Sequence, residues 1–214
     1  MTPESPLRRR RGDEALYVEV LIRAPLEEVW RLTQDPASHV RWDARFSDIV
    51  PQRTRSDGAR EFRYELDLGV HTIRGTGVSL ATREGPAGER TSALLFDTED
   101  ALSPLGAGRG YWRYIPTPEG VRFLTGYDYV PGWGWLGRLC DPLLIRPFVW
   151  WLTARSFDRL RMWAEEGTSP EQASGWRSLR RGYRPRARNC RSRPARRTGR
   201  TIMDDAPRSL EEIA

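Results

Sequence analysis

The sequence predicts an α+β domain in which seven antiparallel strands wrap a long C-terminal helix. Three observations predict it. An N-terminal period-two segment is followed at once by two short helical segments; six further strand-like segments are joined by connections too short for parallel neighbours; and the last apolar segment has helical spacing.

Leu16, Val18, Val20 and Ile22 alternate with Tyr17, Glu19, Leu21 and Arg23, so residues 15–23 read as a half-buried strand. Ala24-Pro25 ends it. Pro25 suits a first helical position, Glu27 and Glu28 suit a helix N-terminus, and Val29, Trp30 and Leu32 supply an apolar face, which predicts a short helix to Thr33. Asp35-Pro36 starts a second, leading to Arg41-Trp42-Asp43. Strands are expected at 46–53, 60–67, 70–81, 91–97, 109–115 and 120–130, with turns at Ser56-Asp57-Gly58, Gly69, 85–88 and 116–119. The last ordered element runs over 134–166, and Pro147 predicts either a kink there or a helix starting there, about 30 Å long.

Charge divides the chain. All 35 basic residues are Arg, so lysine chemistry such as Schiff-base formation is excluded, and the net charge of +6 is distributed as +3 over residues 1–12, −4 over 13–169 and +7 over 170–214. The central globule is therefore mildly acidic, which argues against nucleic-acid binding by the folded part. Three regions follow: a disordered leader at 1–13, one domain at 14–167, and a disordered Arg-rich tail at 168–214 that would touch nucleic acid or anionic lipid only non-specifically. Cys140 and Cys190, with two His in the chain, offer no disulfide framework and no zinc spacing, so neither metal nor cofactor is expected. The N-terminal Arg run leads into Gly-Asp-Glu rather than an apolar stretch, which predicts a cytoplasmic chain. The apolar segment 130–154 is broken by Arg138, Asp141, Arg146 and three prolines, and does not read as a membrane span.

Within residues 18–43, the strand ending in Ala24-Pro25, the Glu28-Val29-Trp30 of the first short helix and the Trp42-Asp43 after the second carry a resemblance to the SRPBCC superfamily of START-like proteins, in its polyketide cyclase/dehydrase-like branch. The resemblance extends over about residues 14–167. It implies a helix-grip fold, with a curved antiparallel sheet around the C-terminal helix and a cavity between them that takes a lipid, isoprenoid, polyketide or other apolar molecule. The implied function is binding or transport of such a ligand; the alternatives are a polyketide cyclase, aromatase or dehydratase, and a pocketless partner-binding domain. No Rieske Cys and His pattern is present, which removes the ring-hydroxylase branch.

A sheet wrapped on one helix has a concave face that the helix alone cannot fill. The ligand-contacting candidates from the strands are Phe62, Tyr64, Trp112, Tyr114, Phe123, Tyr127 and Tyr129. Phe148, Trp151 and Leu152 add to them from the helix, and Trp42 from the rim. Alternation marks these residues as inward and does not say whether they fill a core or line a cavity. The candidates for chemistry are His71, Arg74 and Tyr64; His71 as a general base needs an inward position and an acidic orienter. His39 reads as a surface histidine, and Gly106, Gly108 and Gly110 as turn flexibility rather than a phosphate loop. Trp133 and Trp135, set among glycines with Arg138 and Arg146 nearby, either close the sheet edge or make transient contact with a membrane surface. The oligomeric state is left open.

Overall fold

The computed structural model of the chain describes residues 16–173 and Ala187. The leader, and the tail from residue 174 apart from Ala187, lie outside the described residues. In chain order the elements are β1 (Leu16–Ile22), α1 (Leu26–Gln34), α2 (Pro36–Trp42), β2 (Asp48–Thr54), β3 (Arg60–Asp67), β4 (Thr72–Glu84), β5 (Arg90–Asp97), β6 (Leu105–Thr117) and β7 (Gly120–Pro131). They are followed by α3 (Gly134–Cys140), a π-helical turn (Asp141–Ile145), α4 (Arg146–Glu166) and α5 (Pro170–Ala173). The seven strands form one antiparallel sheet in the order β1-β7-β6-β5-β4-β3-β2, so the first strand closes against the last.

Local chemistry sets the helix boundaries. Asp35 caps α2 by accepting from the Ser38 amide at 3.0 Å and the Ser38 hydroxyl at 2.7 Å, with Pro36 in the first turn. Pro147 falls in the first turn of α4, and a π-helical turn joins α4 to α3. Gly167, in the left-handed conformation at φ 66°, ends α4. Residues Pro170–Ala173, which the sequence places in the tail, form a helical turn whose Glu171 pairs with Arg41 at 2.7 Å.

One end of the grip is solid. Val18, Val20 and Ile22 of β1 meet Val29 and Leu32 of α1 and Phe157 and Leu160 of α4, and each such side chain contributes about 1.5–3 kcal/mol by leaving water. Trp42 is wholly buried there, its indole N–H donating to the Leu32 carbonyl at 2.9 Å, and the Phe123 and Phe157 rings stack at 4.5 Å. Tyr114 is also buried, its hydroxyl within 2.7 Å of the Thr33 hydroxyl and accepting from Gln34 at 3.1 Å.

The other end is held open by the sheet itself. Phe62 pairs across strands with Gly77, Tyr64 with Gly75 and Phe96 with Gly108. Each ring lies over a glycine so closely that an added Cβ would sit 2.2 Å from it. Rings laid flat on neighbouring glycines do not project into the interior. Gly108 thus belongs to the body of β6, which begins at Leu105 rather than at 109, and the reading of these glycines as a flexible turn is corrected: the strand needs them as space. β2 is a free edge, carries Pro51 and loses its register between Pro51 and Thr54. At the opposite edge the Trp150 indole N–H of α4 donates to the Tyr17 carbonyl of β1 at 3.2 Å.

Gly77→Ala is expected to push the Phe62 ring off the sheet at a cost of about 1–3 kcal/mol, the usual penalty of overpacking. Urea unfolding checks it, and an unchanged midpoint would show that the ring has room to move.

Candidate functional site

Between the concave face of the sheet, α2, the π-helical turn and the first half of α4 lies a cavity of about 620 Å³. Its walls are mainly apolar. Leu66, Ile73, Leu94 and Phe96 come from the sheet, and Val149 and Leu152 from α4. A volume of this size lies in the range of small-molecule sites.

The structure divides the expected residues into two groups. Phe62, Tyr64, Trp112, Tyr127, Phe148 and Leu152 line the cavity. Trp42, Tyr114 and Phe123 belong to the solid end of the core, Tyr129 donates its hydroxyl to Asp141 at 2.6 Å, and Trp151 stacks on Phe148 outside the lining. Burial raises the pKa of each of these tyrosines, and for Tyr64, where the nearby Asp97 charge adds to it, to about 12, so all stay neutral hydrogen-bonding groups.

His71 and Arg74 are not brought to the cavity. His71 precedes β4 and pairs with Asp100 at 2.9 Å, which provides the acidic orienter without the inward position. Arg74 alternates with the cavity-lining Ile73 and so faces the other way, pairing with Glu65 at 3.1 Å in an exposed position.

The charged wall of the cavity comes instead from α2 and the segment joining it to β2. His39, taken from sequence as a surface residue, has a side chain only 12% exposed and lines the cavity. Its ring stacks on Trp42 at 4.9 Å and meets Trp112 and Phe46 edge-on, and its Nε2 lies 3.1 Å from Oδ2 of Asp43. Asp43 has no solvent exposure and accepts from Arg45 Nε at 2.9 Å and Nη2 at 2.6 Å, a two-pronged pair. A third Arg45 nitrogen, Nη1, donates to the Thr153 hydroxyl at 3.4 Å, and Thr153 lies 2.9 Å from the Tyr127 hydroxyl. Arg45, His39 and Tyr127 therefore bring nitrogen and oxygen atoms together at one wall of a mainly apolar chamber, where they can hydrogen-bond an oxygen-bearing group. One signal was legible: His39 and Asp43 stand four residues apart, one helical turn. Among the described residues no group of three His, Cys, Asp or Glu is placed to hold a metal.

Burial by itself pushes the Asp43 carboxyl up; the Arg45 guanidinium and the His39 ring more than reverse this, and it lies well below the usual carboxylate range. Burial likewise opposes the charge on Arg45, and Asp43 beside it holds that group firmly protonated. Because the folded-state pKa of Asp43 is depressed, its stabilisation is complete above about pH 4, where unfolded carboxylates titrate, and is lost progressively as pH falls below that. Asp43→Asn, which leaves Arg45 buried without its counter-charge, is expected to cost about 3–5 kcal/mol at neutral pH and to remove this part of the acid dependence. Urea unfolding as a function of pH measures both.

Comparison with known proteins places the fold. No protein-family model matches the chain. The uncharacterized membrane protein YndG of Bacillus subtilis (strain 168) is 38% identical over 159 residues, covering 73% of this chain and 59% of that protein, so the chain spans less than two thirds of that relative. Its name overturns the expectation of a cytoplasmic chain, which rested on the N-terminal residues alone; among the described residues no helix is long and apolar enough to cross a membrane. Among solved structures, the STAR-related lipid transfer protein fragment from Xanthomonas axonopodis aligns at TM-score 0.53 and 14% identity, over 68% of this chain and 82% of that one. Human StAR-related lipid transfer protein 5 aligns at 0.53 and 15%, over 74% and 86%. The Zhui aromatase/cyclase from Streptomyces sp. R1128 aligns at 0.51 and 12%, over 72% and 98%. Identities this low speak for architecture, and the strand order, the two short helices after β1 and the gripped C-terminal helix agree with it: the chain has the helix-grip fold.

Proposed function

We propose that the protein binds and passes on a small hydrophobic molecule carrying an oxygen-bearing group, such as a lipid, isoprenoid or polyketide. The single observation that supports this reading most is the cavity of about 620 Å³, mainly apolar, with Arg45, His39 and Tyr127 gathered on one wall. The apolar body of the ligand would lie along Leu66, Leu94, Phe96 and Leu152, and its oxygen would accept from Arg45 or His39. Lipid-transfer proteins among the aligned structures are consistent with it. Native mass spectrometry of the full chain purified from its source is expected to show a retained adduct that denaturation releases. Leu152→Trp, which places an indole in the chamber, should cut its occupancy at least tenfold, about 1.4 kcal/mol. A protein that carries no adduct, and whose Leu152→Trp variant takes up an added apolar fluorophore as the parent does, would refute the reading.

One observation favours a second reading, catalysis. His39 held by Asp43 with Arg45 alongside sets an acid–base group beside a cation that stabilises a developing oxyanion, which a polyketide cyclase or aromatase needs. Turnover of a poly-β-keto thioester mimic, abolished in His39→Ala, would support it; absence of turnover by the parent protein would leave binding as the function.

A further inference from the structure

The large apolar side chains that the described residues expose all lie at one end of the molecule. Leu68 and Val70 sit in the β3–β4 turn, with Val70 99% exposed; Leu102 sits in the β5–β6 connection, and Val130 and Trp133 at the end of β7. The rest follow directly: Trp135, Leu136 and Leu139 on α3, Leu143 and Leu144 in the π-helical turn, and Phe148 in the beginning of α4. Antiparallel register brings these segments together. Asp67 stands opposite Thr72, Thr76 opposite Asp97, and Leu105 opposite Pro131, so the three sheet connections share one end. They are also tied to one another, by His71 with Asp100 at 2.9 Å and by the Gly132 amide donating to the Pro104 carbonyl at 2.9 Å. The turns at the other end carry Arg55, Asp57, Glu89 and Glu119 instead.

Charge within the helical part of this end has one sign. Over residues 133–148 the acid is Asp141, which is buried and occupied by Tyr129 and by Arg146 at 3.1 Å, while Arg138 is exposed. The exposed acids of this end, Asp48, Asp67, Asp97 and Glu99, stand on the sheet and its connections. Trp133, Leu144 and Phe148 line the cavity and are exposed at the same time, so one opening of the chamber lies in this surface.

We propose that this end docks on a lipid bilayer, with α3 and the π-helical turn lying in the interface and the cavity mouth facing the lipid. A short amphipathic segment with indoles, aliphatic side chains and an arginine but no exposed carboxylate has the chemistry of an interfacial anchor. The acids on the sheet connections keep that shoulder in the headgroup layer and leave the helical segment as the deeper part. A protein partner would be expected to meet a polar, hydrogen-bonding rim around the apolar centre, whereas these side chains project from separate segments at a tip. Docking does not require an occupied cavity, so this inference and the ligand-binding reading fail separately.

The test uses the full chain and phosphatidylcholine vesicles in about 1 M salt, where screening within about 3 Å suppresses the basic ends. The protein is expected to co-sediment, with a blue shift of tryptophan fluorescence. Leu139 and Leu143 are 62% and 75% exposed and lie outside the cavity lining, so Leu139→Asp with Leu143→Asp should lower the partition coefficient at least tenfold while leaving the circular dichroism and the retained adduct unchanged. Three results would overturn the proposal: parent protein that stays in the supernatant, or sediments only with phosphatidylserine at low salt; a double variant that sediments as the parent does; or a parent dimer that the double variant dissociates, which would assign the face to a second copy of the chain.

Discussion

A carboxylate shut away from water keeps its charge only where cations and donors reach it, and Asp43 imposes that demand on four elements at once. It ends α2, takes Arg45 from two residues along and His39 from one turn back, and through Arg45 reaches Thr153 of α4 and the ring of Tyr127 in β7. The next residue completes the tie, with the Ala44 amide donating to the Ser156 hydroxyl of α4 at 3.0 Å. The path of the chain from α2 into β2 is thereby fixed against the middle of α4. That path is one wall of the cavity. The same groups that hold the wall in place also give it its polarity, so stability and recognition are drawn from one set of side chains.

The contrast between the two ends of the grip follows from side-chain volume. Toward the end of α4 the interior is closed by Trp42, Tyr114, Phe123 and Phe157, all fully buried. Toward β3, β4 and β5 the inward aromatics rest on glycines of the adjoining strand, so a face rich in large residues still encloses empty space. The chamber is a property of strand register. Moving β3 by one residue against β4 would set Phe62 and Tyr64 beside side chains instead of glycines and turn their rings to the other face.

Much of the architecture was legible in sequence because period-two and helical patterns are local: β3 has the expected bounds, and β1 and β7 lie within a residue of theirs. What a pattern cannot say is what stands opposite an inward residue. Phe62 and Trp42 are both inward; one faces the chamber and the other is locked beneath Leu32. His39 was misread because a polar residue on a short helix resembles any surface residue until Trp112, distant in sequence, and Phe46, beyond the helix, close over it. The partner of His71 stands 29 residues away, beyond the reach of any spacing rule. The glycines of β6 were taken for breakers because their use, making room for Phe96 on another strand, is tertiary.

The two edges of the sheet bear on how copies of this protein behave when crowded. An open edge is a row of unmet amides and carbonyls on which a second strand can build, and stacking of that kind leads to fibrils. Pro51 removes a donor from the β2 edge and breaks its register, while at β1 the Trp150 indole already occupies the Tyr17 carbonyl. Copies drawn together by their greasy ends would therefore meet side by side without a seam along which to knit.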